Sequence, residues 1–173
     1  MGDSLITIVA IFLAAILMFV FPLAAISEMN DSEALAMVQS YTTEFVDRIR
    51  AKGKITLQDY DSYMQKLAAT GNSYEISFEV QIADSNPGKK TENQQIGDTT
   101  YYGVYTSQIE EKLNSEESGY CYNLKEGDYV SVSIKNTNTT ISQMIKSVLY
   151  SVTGDNSYVI SASASGSVVA TGY

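Results

Sequence analysis

Leu5 to Ile26 reads LITIVAIFLAAILMFVFPLAAI, a run of 22 residues with no charge and a single polar side chain, Thr7. At about 1.5 Å of rise per residue, a helix over this run is roughly 33 Å long, enough for a bilayer core of about 30 Å. A core helix of a soluble domain would carry polar residues along one face, and this run has no such face. A secretory signal would start with a basic segment and hold a shorter apolar stretch, whereas Met1-Gly2-Asp3-Ser4 contains no Lys or Arg. Residues 1–27 are therefore predicted to form a retained membrane helix, with cleavage near Ala24, Ala25 and Ser27 as the alternative. No cation precedes the run and the first one after it is Arg48, while Glu28, Asp31 and Glu33 follow directly. That pattern favours a short inner tail and an extracytoplasmic domain over residues 28–173. Pro22 lacks a backbone donor and predicts a bend inside the helix.

The helical pattern continues beyond the run. Ala34, Val38, Tyr41, Phe45 and Ile49 form one apolar stripe, Arg48, Arg50 and Lys52 suit the negative end of a helix dipole, and Gly53 supplies a stop. No Gly or Pro stands between Pro22 and Gly53, so span and stripe are predicted to be one long spine. Thr56 and Asp59 form a weak capping box for a second helix with Tyr60, Tyr63, Met64 and Leu67 on its apolar face, closed by Gly71. Tyr74–Ile82 alternates with period two and reads as a half-buried strand, with Glu75 and Glu79 on its solvated face. Asp84 to Thr100 reads as an exposed loop. Tyr101, Tyr102 and Tyr105 cluster around Gly103, either as core and loop packing or as a contact surface, since Tyr offers large amphipathic area. Thr106 is placed to cap a short helix holding Ile109 and Leu113, and Cys121 reads as a buried small hydrophobe between Tyr120 and Tyr122. Val130, Val132 and Ile134 alternate in another strand. Thr140 caps a helix with Ile141, Met144, Ile145, Val148, Leu149 and Val152 at helical spacing, stopped by Gly154. Tyr158, Ile160, Ala162 and Ala164 alternate in a last strand, and Gly166–Tyr173 extends the sheet or packs as a tail. The fold class is α+β: a long N-terminal helix on a small, mainly antiparallel sheet, with short helices in the connections.

Composition narrows the chemistry. The chain has 173 residues, 11 Lys+Arg against 20 Asp+Glu, a net charge of −9, no His, no Trp and one Cys. Without His there is no Ser-His-Asp machinery, and one Cys supports neither an internal disulfide nor a thiolate cluster. An acidic chain is a poor partner for nucleic acid. No phosphate-cradling glycine motif, nucleophile elbow or calcium loop is present, since Asp59-Tyr60-Asp61 and Glu116-Glu117 are not at ligand spacing. Neither a cofactor nor a small-molecule substrate is expected, and the chain is read as a non-enzyme. Asn30-Asp31-Ser32 and Asn138-Thr139-Thr140 match the acceptor pattern for N-linked glycans. The cations from Arg48 to Lys54 read as dipole compensation, with contact to anionic lipid as the other reading.

This organisation resembles type IV pilin-like proteins, and in particular TadE-like minor pilins of tight-adherence systems. The block Gly127-Asp128-Tyr129-Val130-Ser131-Val132-Ser133-Ile134, an apolar helical stretch and Ile160-Ser161-Ala162-Ser163-Ala164 look like that family's closing strand, apolar segment and strand. The stretch from Val46 to Gly71 also resembles small membrane proteins of Gram-positive bacteria found with such systems or with conjugative elements. The resemblance implies a leader ending at Gly2, a mature chain starting at Asp3, and a helix-breaking proline at Pro22. It departs from the pilin pattern at the fifth mature residue, which is Thr7 where pilins carry Glu, and some subunits at filament tips share that departure. What it implies is a structural or assembly subunit of a surface filament or secretion machine, packing on further copies or other pilin-like subunits through Leu5, Ile8, Phe12, Ile16 and Phe19, with Pro22 as the bend. The alternatives are a membrane-resident accessory protein of a conjugation or secretion apparatus and an adhesive ectodomain that binds through Tyr101, Tyr102 and Tyr105.

Overall fold

The structure is a computed structural model that describes residues 2–83, 101–150 and 159–172. The loop reading of Asp84 to Thr100 and the readings at Val152, Gly154 and Tyr158 lie outside the described residues. The fold is α+β. Helix α1 (Gly2–Lys52) is a single helix of 51 residues, continuous through Pro22 with no melted turn. Its outer half lies on the inner face of a four-stranded antiparallel sheet of order β3-β2-β5-β6, built from β2 (Tyr74–Ala83), β3 (Tyr101–Tyr105), β5 (Tyr129–Asn136) and β6 (Ser161–Ser167). Helix α2 (Leu57–Ala68) and helix α3 (Thr106–Leu113) cover the rest of that face, and α4 (Ile141–Tyr150) packs on α1. A two-stranded ladder of β1 (Lys54–Thr56) and β4 (Cys121–Asn123) ties the end of α1 to the segment after α3.

Period two sorts the sheet into an apolar and a polar face. Ile76, Phe78 and Val80 of β2 stand beside Val130, Val132 and Ile134 of β5 and Ala162 of β6, all buried against the helices. The opposite face carries Glu75, Ser77, Ser133, Lys135, Ser161 and Ser163 in solvent. The α1 stripe is wider than the periodicity alone implied, because Thr42 and Val46 are buried with Val38, Phe45 and Ile49. Phe45 stacks on Tyr63 at 4.4 Å and meets Phe78 edge-on at 6.1 Å, so one aromatic cluster locks α1, α2 and β2 together. Beside it, the Thr42 and Tyr63 hydroxyls share a hydrogen bond of 2.8 Å. Burial pushes the Tyr63 hydroxyl up to about 12, against the opposing pull of that bond.

Several local readings change. On α2 the inward residues are Asp59, Tyr63 and Leu67, whereas Met64 is exposed. Asp59 turns inward because it completes the cap. Its backbone N–H donates to Thr56 Oγ1, and its carboxylate accepts from Thr56 Oγ1 at 2.8 Å and from Lys52 Nζ at 2.9 Å. Burial opposes its ionisation, but the bonds from Lys52 and Thr56 and the nearby Arg48 outweigh burial and hold its pKa below the ordinary carboxylate value. Thr106 does not cap α3. Its hydroxyl accepts from Phe78 N–H at 2.8 Å, continuing the β2–β3 ladder by one side-chain rung, while Gln108 Oε1 accepts from Tyr105 N–H at the helix start. Cys121 is half-buried rather than buried, with its thiol donating to Ser118 O.

Gly166 and Ser167 extend the sheet in β6, and residues 168–172 continue as a packed tail. Val168 is buried and exchanges backbone hydrogen bonds with Gly127 and Asp128, Val169 N–H donates to Arg50 O, and Gly172 N–H donates to Leu124 O. The tail runs directly over Gly53, whose φ of +68° ends α1. A Cβ at Gly53 would collide with the backbone of Ala170 and Gly172.

Candidate assembly and membrane surface

The charge-free run occupies the first half of α1, and no part of the described chain packs along it. Leu5, Ile8, Phe12 and Phe19 are each at least 65% exposed and Ile16 is 41% exposed, while only Val20 and Ala24 are partly covered. Gly2 and Asp3 lie in the first turn, and Pro22 is exposed. The exposed apolar residues, among them Ile6, Val9, Leu13, Leu17, Phe21 and Leu23, fall on every side of the helix. A surface apolar around its whole circumference suits hydrocarbon or the interior of a helix bundle rather than water. This is a single N-terminal helix long and apolar enough to cross a membrane.

Burial on α1 begins abruptly at Ser27 and continues through Asp31, Ala34 and Val38. The domain-facing stripe therefore starts on polar residues, which hydropathy patterning passes over. Thr140 Oγ1 donates to Asp31 Oδ2 at 2.7 Å and accepts from Gln143 N–H, so one hydroxyl both caps α4 and satisfies a buried carboxylate 109 residues away in sequence. Glu28 pairs with Lys146 at 2.9 Å one turn nearer the apolar run.

The three tyrosines do not form one patch. They sit on β3, an edge strand, so successive side chains point to opposite faces. Tyr101 and Tyr105 register with Ala83 and Glu79 on the polar face, while Tyr102 registers with Ile82 on the helix side. All three are exposed, at 46%, 55% and 59% in chain order. The Tyr105 ring folds back over Gly103, filling the space a side chain there would need.

Other sequence candidates separate in space. Glu75 and Glu79 lie four residues apart on one strand, about 13 Å along it, too far to share a proton or a reacting bond. Glu75 instead stands opposite Lys135. Among the described residues no three acidic or sulfur side chains converge. The cations at the end of α1 are ion-paired, Arg48 with Glu44 and Asp59, Arg50 with Asp47, and Lys52 with Asp59. Arg48 also lies 22 residues beyond Ile26, about 33 Å up the helix. The Asn138 side chain donates to Asn72 and accepts from Ser73 N–H, so that sequon asparagine is committed to the fold. No family model matches the chain, and no curated protein or solved structure matches it.

Proposed function

We propose that this chain is a pilin-like structural or assembly subunit of a bacterial surface filament or secretion machine. One observation carries the reading: the apolar run and the core helix of the domain are a single helix with no linker between them. A simple anchor needs only a tether, whereas a spine that is half naked and half built into a sheet fixes the domain relative to whatever covers its naked half. In this reading the bilayer stores the subunit, with the domain on the extracytoplasmic side. Assembly then exchanges lipid around Leu5, Ile8, Phe12, Ile16 and Phe19 for the same residues of neighbouring copies or of other pilin-like subunits. The exchange is nearly neutral in hydrophobic terms, because both surroundings are apolar, and side-chain packing decides it. A head-to-tail contact of this kind generates an open filament rather than a closed ring when its rotation does not close. The role is structural, with no cofactor and no catalytic step.

A second reading is favoured by Thr7, which puts no charge where pilins carry Glu and leaves a membrane-resident accessory protein of a secretion or conjugation apparatus. Intact mass of the native protein, with shearing of cells, separates the two. A chain starting at Asp3 and present in the sheared fraction supports the filament subunit. A chain starting at Met1 or Gly2 that stays with the membrane supports the accessory protein, and a start after Ala25 or Ser27 refutes both.

A further inference from the structure

A cavity of about 300 Å³ opens where separate segments meet just above the apolar run. Helix α1 lines it with Ser27, Asn30 and Asp31, and the turns after α2 and after β5 supply the rest. Its walls are cross-braced. Thr140 Oγ1 donates to Asp31 Oδ2 at 2.7 Å, which joins the turn after β5 to α1. Asn138 Nδ2 donates to Asn72 Oδ1 at 2.8 Å, and Asn138 Oδ1 accepts from Ser73 N–H at 2.9 Å, which joins the two turns. Other polar groups on the lining are left over. Ser27 is 6% exposed, and its hydroxyl has no hydrogen-bond partner among the described residues. A buried hydroxyl in that state costs about 1–3 kcal/mol, which a ligand hydroxyl recovers. The exposed side chains of Asn30 and Thr139 are likewise unbonded among the described residues.

The lining defines the ligand. No Lys, Arg or aromatic residue lines the cavity among the described residues, so a phosphate or carboxylate finds no countercharge there. Ile141 supplies the one sizeable apolar side chain, too little for an acyl chain. What remains are amides and hydroxyls that both donate and accept, beside a carboxylate that accepts, a set that matches vicinal hydroxyls. The volume is at the low end for small-molecule sites and suits one sugar ring. We propose that this cavity binds a neutral hexosyl group, carried by a lipid headgroup or by a free sugar, whose hydroxyls meet Ser27, Asn30, Thr139 and the Asp31 carboxylate. Ser27 directly follows Ile26, and Asp31 is five residues past it, about 7.5 Å along the helix, while the headgroup layer of a bilayer is roughly 5–8 Å thick on each side. With Leu5–Ile26 in a bilayer, the cavity stands at headgroup depth. Only the lipid source rests on that placement.

The test uses the full chain in phosphatidylcholine nanodiscs doped, at equal mole fraction, with monoglucosyl diacylglycerol, monogalactosyl diacylglycerol or phosphatidylglycerol. Native mass spectrometry counts the dopant lipid retained per chain after release. In parallel, methyl glucoside and methyl galactoside are titrated onto the chain in a phosphocholine detergent and read by saturation-transfer NMR. Retention of one glycolipid per chain, above phosphatidylglycerol, supports the proposal with a lipid source. Saturation transfer to a methyl glycoside without glycolipid retention supports it with a free sugar as the source, and needs no bilayer. In either arm Ser27→Ala/Asn30→Ala weakens binding about tenfold, the loss of two hydrogen bonds. Neither side chain bonds elsewhere among the described residues, so the urea midpoint of the double variant stays at that of the unaltered chain. Equal binding by the double variant, no hexosyl binding in either arm, or preferential retention of phosphatidylglycerol overturns the proposal.

Discussion

Replacing Gly53 by Ala tests the closure of the domain, and Gly71→Ala supplies its control. Both glycines have positive φ, +68° and +78°, so both substitutions carry the left-handed penalty of an L-residue, about 1–2 kcal/mol. Their surroundings differ. A Cβ at Gly71 meets nothing within 4 Å, while one at Gly53 meets the backbone of Ala170 and Gly172. Backbone atoms cannot swing aside as a side-chain tip does, so the tail must lift. Lifting it breaks Val169 N–H to Arg50 O at 3.1 Å and Gly172 N–H to Leu124 O at 3.0 Å. At about 1 kcal/mol net for each bond, Gly53→Ala loses about 2 kcal/mol more than Gly71→Ala. Urea unfolding of the detergent-solubilised chain, followed by the emission of its 13 tyrosines, reads this directly. With a urea slope of about 2 kcal/mol/M, the Gly53→Ala midpoint falls about 1 M below that of Gly71→Ala. Deleting residues 170–173 removes the collision, so in that background the two variants differ by less than about 0.5 kcal/mol. Equal midpoints in the full chain, or a gap that survives the deletion, would refute the reasoning.

Three other perturbations probe different joints. Tyr63 has a pKa raised to about 12 by burial, so its contribution is intact below the ordinary tyrosine value of about 10 and is lost as pH rises toward 12. Tyr63→Phe therefore flattens the alkaline loss of stability seen in urea midpoints. It costs about 1 kcal/mol at neutral pH, because the Thr42 hydroxyl keeps its bond to Val38 O. Asp59 behaves with the opposite sign. Its lowered pKa adds stability that is present above the ordinary carboxylate range and fades as pH falls through the folded-state value. Asp59→Asn loses about 1 kcal/mol at pH 7, since Arg48 and Lys52 are 38% and 47% exposed and solvent screens them, and its stability depends less on pH below about 4. Thr140→Val removes a helix cap and strips Asp31 of a hydroxyl donor, for a loss of about 2–3 kcal/mol by the same assay. Thr140→Ser keeps both bonds and restores most of that loss.

What the sequence disclosed and what it hid divide along a physical line. The apolar run, the stripe from Ala34 to Ile49 and the alternating strands of Tyr74–Ala83 and Tyr129–Asn136 are periodic, and a period is local information. The β1–β4 ladder has three residues in each strand, too few to show a period. Ser27, Asp31 and Asp59 look like surface residues by type. Asp31 is buried because Thr140, 109 residues away, satisfies it, and Asp59 because Lys52, Thr56 and Arg48 do. Tyr101, Tyr102 and Tyr105 show the converse. Their strand lies at the sheet edge, and edge position is a property of topology that no single strand displays. The α4 stripe was legible as apolar, but which side of it faces the protein depends on Thr140 meeting Asp31.

The unbroken α1 makes the molecule a lever. From Ile26 to Lys52 the helix covers 26 residues, about 39 Å, and it is braced along that length by the sheet. In the proposed membrane placement, a tilt of about 20°, the average for helices in bilayers, carries the far end of the domain about 13 Å sideways. Small rotations within the hydrophobic layer are thus magnified at the tip where β1, β4 and the C-terminal tail converge.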